Sequence, residues 1–189
     1  VHIRFTYVED FNNDGFDDFF AAAHGFDAAP FSGEANLLLL SDPNGGFIDA
    51  GKDDPLFNYS GFTHAASIGD VNNDGNLDIV TSDLCCGVDR NGMTRILVND
   101  GTGKFTRNES KAMPDSTVNP LYNNAGIAVS LIDLDQDKDD DLIIGSMNKE
   151  KGDRVYWNSG DGVFDFSEFT SLPVFLDINN QPLYESLDI

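Results

Sequence analysis

The chain of 189 residues carries 33 Asp and Glu against 11 Lys and Arg, a formal charge of -22 that repels a nucleic-acid backbone and leaves no basic patch to meet one. Its 40% hydrophobic content is enough for a buried core, so it is not a disordered acidic tail. No apolar run approaches the ~20 residues of a membrane-crossing helix. Apolar runs such as 37–40 and 142–144 are strand-sized. The sequence opens on Val1 without a basic-then-apolar leader and therefore reads as a mature or excised piece of a longer product.

In chain order, residues 2–8 predict a first strand that runs into an acidic loop, DFNNDGFDD, at 10–18. A second strand is predicted over 16–23 and a third over 36–40. A polar, Gly-rich turn follows at 41–46, and Phe47 begins a fourth strand. The series then repeats with strand 65–68, loop 70–78 (DVNNDGNLD), strand 77–82, strand 95–98, turn 99–103 and Phe105. It repeats again with strand 126–132, loop 133–141 (DLDQDKDDD), strand 142–146, strand 154–157, turn 158–162 and Phe164. Glycine and asparagine between apolar runs mark hairpins because both tolerate positive φ.

The loops begin at Asp10, Asp70 and Asp133, 60 and 63 residues apart, and a near-fixed period reports a repeated supersecondary unit. Four short antiparallel strands in about sixty residues describe an all-β fold of propeller blades with a loop insertion. A sandwich also holds many short strands, but it does not predict this threefold recurrence. The blades fall at 1–60, 61–122 and 123–176. The ending SLDI at 186–189 repeats the approach IGDV at 68–71 and LIDL at 131–134. Residues 177–189 are thus expected to start a fourth blade, whose own loop opens at Asp188.

Within each loop, oxygen-bearing side chains fall at positions 1, 3, 5 and 9. They are Asp10, Asn12, Asp14 and Asp18; Asp70, Asn72, Asp74 and Asp78; Asp133, Asp135, Asp137 and Asp141. Carboxylates crowded into a tight turn repel one another unless a cation neutralises them. Oxygen-only donors in a forgiving geometry suit Ca²⁺ better than Mg²⁺, which demands a strict octahedron. Position 7 would add a backbone carbonyl, from Phe16, Asn76 and Asp139. Gly15 and Gly75 at position 6 permit the sharp turn, whereas Lys138 stands there in the third loop and is expected to weaken or distort that site. An EF-hand is excluded because its position 12 needs a bidentate Glu, and Ala21, Thr81 and Ile144 occupy that place here. Solvated Asn/Asp-Gly turns would account for any one loop, but not for three with the same ligand spacing.

The loop pattern DxNxDGxxD, the following LDIV strand and the LVNDGTGKF hairpin together resemble the FG-GAP/VCBS repeats of integrin-α-like β-propellers, over nearly the whole chain. The resemblance implies a ring, commonly of seven blades, with calcium between the first and second strands of a blade. It also implies that the ions mainly brace the structure while ligands bind another face.

The first functional expectation is therefore a non-catalytic, calcium-stabilised extracellular module for adhesion or for recognition of a protein or glycan, completed by further blades from the same chain or another subunit. Among the aromatics, Tyr59, Tyr122, Tyr156 and Trp157 are candidates for a sugar-stacking surface, although Trp157 reads as core from its place in an apolar third strand. The loop 83–92 is the longest link between second and third strands and the best candidate for a variable binding feature. It holds the only cysteines, Cys85 and Cys86, which would form a vicinal disulfide or stay reduced. Asn58 and Asn108 head glycosylation sequons. The alternatives are the propeller part of a secreted polysaccharide-degrading enzyme and an architectural part of a larger surface or filament protein. Against the enzyme, His2, His24 and His64 share no repeat position and no catalytic motif. His24 and His64 read as surface or strand-end residues.

Overall fold

A computed structural model describes residues 2–26, 28–29, 32–83, 94–108, 126–146 and 152–173. Twelve strands and no helix occur among them, arranged as three four-stranded antiparallel sheets. The first sheet holds β1 (Ile3–Glu9), β2 (Asp18–Ala23), β3 (Leu37–Ser41) and β4 (Phe47–Asp49) in sequential order. The second holds β5 (Thr63–Gly69), β6 (Asp78–Asp83), β7 (Thr94–Asn99) and β8 (Phe105–Arg107). The third holds β9 (Gly126–Ile132), β10 (Asp141–Ser146), β11 (Arg154–Tyr156) and β12 (Thr170–Ser171). No described helix is long and apolar enough to cross a membrane. The all-β expectation and the blade unit are borne out. The expected fourth blade, Tyr122, Cys85 and Cys86 lie outside the described residues.

The three sheets share details that their sequences dictate. In each, the pairing of first and second strands shifts register at the end away from the acidic loop, between Ile3 and Phe5, between Thr63 and Ala65, and between Gly145 and Ser146. Such a bulge bends the strand and increases its twist. The middle sheet is buried on both faces, so β6 reads as an unbroken buried run rather than an alternating one. Ile79 points into a core shared with the first sheet, against Phe11, Phe20, Leu38, Phe57 and Phe105. Its neighbour Val80 points the other way, into a core shared with the third sheet, against Val71, Leu142, Tyr156, Phe164 and Phe166. Adjacent residues of a strand face opposite sides, so β6 ties the two cores together.

Two expectations are corrected and a third is sharpened. Phe164 does not begin the fourth strand of the third sheet. It is fully buried in the second core beside Phe166, and a turn at 165–168 delays the pairing strand until Thr170 meets Val155. Trp157 is not core: β11 ends at the buried Tyr156, and Trp157, on the opposite side of the chain, is 44% exposed with its indole N–H donated to Thr170 Oγ1 at 2.9 Å. His24 lies at a strand end as expected, but it is buried rather than at the surface.

Candidate metal centre

Each acidic loop starts where a first strand ends and closes where a second begins, so the sheet fixes both of its ends. Between them the backbone turns through two left-handed residues. Position 4 is Asn13 (φ 58°), Asn73 (φ 57°) or Gln136 (φ 65°), and position 6 is Gly15 (φ 86°), Gly75 (φ 85°) or Lys138 (φ 83°). These turns wrap the peptide N–H groups around the aspartates. Asp10 accepts the N–H of Asp14 at 3.1 Å on one oxygen and that of Gly15 at 2.8 Å on the other. Asp70 does the same for Asp74 and Gly75, and Asp133 for Asp137 and Lys138. Asn12, Asn72 and Asp135 each accept the N–H of position 5, and Asp14, Asp74 and Asp137 each accept that of position 7. Lys138 thus reproduces the glycine turn in its hydrogen bonds, with a longer bond to Asp133 (3.1 Å) than Gly75 makes to Asp70 (2.8 Å).

Position 9 does something different. Asp18, Asp78 and Asp141 are at most 1% exposed, and both oxygens of each accept backbone N–H groups. One comes from loop position 2 (Phe11, Val71, Leu134) and one from the end of the third strand (Ser41, Asn99, Asn158). This aspartate pins the loop to the sheet. Burial pushes the Asp78 carboxyl up to about 6, against the lowering effect of the Asn99 and Val71 N–H groups. Desolvation likewise raises the carboxyls of Asp135 and Asp140.

Carboxylate oxygens of Asp133, Asp135 and Asp137 lie within 4.8 Å of one another. In the first two loops the position 3 asparagine takes the middle place, and its amide donates to the position 5 carboxylate, at 3.1 Å for Asn12 to Asp14 and 2.9 Å for Asn72 to Asp74. Side-chain oxygens of positions 1, 3 and 5 therefore converge in the third loop, an all-oxygen set that fits a hard divalent cation, and the first two loops repeat its backbone hydrogen bonds with an asparagine amide at position 3. The position 7 residues Phe16, Asn76 and Asp139 sit beside this centre, so their carbonyls are candidate ligands. The side chain of Phe16 is exposed.

Sequence reasoning missed that neighbouring loops hold one another. Asn13 donates to Asn76 Oδ1 at 2.8 Å, and Asn73 donates to Asp139 Oδ1, so position 4 of one loop grips position 7 of the next. Asn99, buried at the end of β7, donates to the Phe11 carbonyl of the preceding loop at 2.7 Å and to Leu77 O at 3.1 Å. Asn158 repeats this with Val71 O at 2.7 Å and Asp140 O at 3.0 Å. Gly101 and Gly160 sit where these grips meet, and a Cβ there would stand 2.6 Å from Asn76 Oδ1 or 2.7 Å from Asp139 Oδ2 of the same blade's loop, and 3.2 Å from Asn13 or 3.1 Å from Asn73 of the preceding one. The available signal was the recurring N-x-G-x-G of 99–103 and 158–162, read only as a turn.

Away from the loops, Asp83 and Arg95 form a buried ion pair. Thr63 Oγ1 donates to Asp83 at 2.7 Å, and the Arg95 guanidinium stacks 4.2 Å from the centre of the Tyr59 ring. Burial, and next the Asp83 charge, push the Tyr59 hydroxyl up to about 12. Tyr59 and Tyr156 are thus structural. Both sequon amides are engaged, Asn58 donating to Lys52 O at 2.5 Å and Asn108 to Gly162 O at 2.6 Å. His24 packs on Phe62, with His64 5.3 Å away.

Repeated four-stranded blades, each with an acidic loop pinned to its sheet, define a blade-repeat protein. Residues 10–81 match the family model of the FG-GAP-like repeat, so the chain carries FG-GAP-like repeat sequence through its first blade and into its second. No curated protein matches the chain. Among solved structures it is similar to one described by its recognition of non-reducing terminal N-acetylglucosamine by an Agrocybe aegerita lectin. The two share 22% identity with a TM-score of 0.46, over 85% of this chain and 36% of that one, so the chain spans about a third of its length.

Proposed function

We propose that the chain is a calcium-braced, non-catalytic β-propeller module working outside the cell in adhesion or in recognition of a protein or glycan. The observation that carries this reading is the triple repetition of one loop geometry in a chain of charge -22, with carboxylate oxygens of positions 1, 3 and 5 converging in the third loop. Asp10, Asn12 and Asp14, with the carbonyl of Phe16, would hold the first ion. Asp70, Asn72, Asp74 and Asn76 would hold the second, and Asp133, Asp135, Asp137 and Asp139 the third, with Asp18, Asp78 and Asp141 closing each site. Millimolar calcium outside cells matches the affinity of weak extracellular sites.

Further blades, from the same polypeptide or another subunit, are part of this proposal. Phe47 stands where Phe105 and Phe164 stand in the other blades. Those two are 6% and 0% exposed, packed against the preceding blade, whereas Phe47 is 60% exposed. That contrast supports one more blade against the open face of the first.

Melting in excess calcium and in EDTA tests the brace. A ligand that binds only the folded state at tenfold to hundredfold excess over its Kd adds about 1.4 to 2.7 kcal/mol per site. A clear rise in Tm is expected, with magnesium giving much less. Coincident melting curves in calcium and EDTA would sink the reading.

A further inference from the structure

At the end of the first blade away from its acidic loop, His2, Ile3, Arg4, His24, Gly25 and Phe26 line an open cleft of about 300 Å³. The seven residues of β1 separate it from Asp10 by about 20 Å, so it is independent of the metal centre. The cleft is built by close backbone packing. His24 is 3% exposed, its ring lies 3.8 Å from that of Phe62, and its N–H donates to the His2 carbonyl at 2.8 Å. Gly25 holds φ at 81°, the Phe26 N–H donates to Ser32 O at 3.0 Å, and a Cβ on Gly25 would strike that same carbonyl. Beside His2, Glu34 is anchored by its N–H to Gly61 O at 2.9 Å. Its carboxylate accepts the His2 N–H at 2.6 Å and faces His2 Nδ1 at 3.3 Å.

The groups this frame presents are mixed. Phe26 is 54% exposed, with its ring 5.5 Å from that of His2. Arg4 is exposed and enters none of the ion pairs between described residues. An exposed aromatic face beside an arginine donor and a carboxylate held by His2 suits a ligand with one apolar face and hydroxyls around its edge. The chain's charge of -22 and the Glu34 carboxylate held against His2 disfavour an anion. Since His2 already occupies Glu34, a cation gains little there.

We infer that this cleft binds a neutral sugar residue, its C–H face laid on Phe26 and its hydroxyls met by Arg4 and the His2–Glu34 pair. The inference rests on the recognition reading proposed above and names the ligand class and the place.

The test is ligand-observed saturation-transfer NMR and titration on the 189-residue chain in calcium. The probes are methyl glycosides of neutral hexoses and N-acetylhexosamines, with glucuronic acid as the charged control. At least one neutral glycoside is expected to bind at millimolar Kd, with glucuronic acid at least tenfold weaker. Phe26→Ala and Arg4→Ala should each weaken binding at least fivefold while leaving Tm unchanged, since both side chains are exposed. Binding that survives both substitutions overturns the cleft and leaves glycan recognition by the module standing. A preference for glucuronic acid, or no glycoside bound at all, overturns the neutral-sugar assignment, and the calcium melting experiment then judges the brace separately.

Discussion

At Lys138 the third loop runs a side-chain-bearing residue through the left-handed conformation that glycine holds in the other two. A Cβ built on Gly15 or Gly75 meets nothing within 4 Å, so the cost of a side chain there is backbone strain alone, on the order of 1 kcal/mol. Lys138→Gly should therefore raise Tm, by somewhat less than that strain implies because glycine also loosens the unfolded chain. Gly75→Ala should lower it by about 1 kcal/mol. Both shifts should persist in EDTA, which is how thermal melts separate backbone strain from lost metal affinity. Position 6 was legible in the sequence because glycine announces positive φ. At position 4, Asn13 and Asn73 are residues that tolerate it, whereas Gln136 carries no such signal.

At the scale of the element, the third-strand hairpin is the piece that joins blades. Asn99 is 1% exposed, donates to two carbonyls and accepts the Gly101 N–H at 3.1 Å. Asn99→Ala strips partners from Phe11 O, Leu77 O and Gly101 N, and should cost about 2 to 4 kcal/mol, read as a fall in the denaturant midpoint. Gly101→Ala adds a Cβ 2.6 Å from Asn76 Oδ1 at a φ of 80°. It should cost more than 1 kcal/mol and speed hydrogen exchange at loops 10–18 and 70–78 together. The strands themselves were readable because short apolar runs alternate with Gly- and Asn-rich turns. The joining role was not, because Ser41 replaces asparagine in the first copy, where it holds the Asp17 carbonyl of its own blade instead. Phe164 and Trp157 were misread for a related reason. An aromatic beside a turn fits a strand start or a core plug equally well, and only the packing of Tyr156, Phe164 and Phe166 decides between them.

For the whole molecule, charge and metal act on one balance. A chain at -22 repels itself when compact, and three divalent ions would bring it to -16. Within that field the fold holds Asp78 buried, with its carboxyl raised from the usual 3.8 to about 6. Across roughly pH 4 to 6 the folded chain therefore keeps a proton that the unfolded chain has released, and without a divalent ion its stability falls as the pH rises through that window. A bound cation would favour the ionised form and reverse the trend, because it occupies the place that protonation relieves. In EDTA, Tm should accordingly be higher at pH 4.5 than at pH 7, while the increment produced by calcium should be larger at pH 7. Added sodium chloride should lift the EDTA form gradually by screening, whereas calcium should act at far lower concentration and saturate. A calcium increment that is equal at both pH values, or matched by sodium chloride at the same ionic strength, would mean that the ions screen the surface generally and do not occupy the loops.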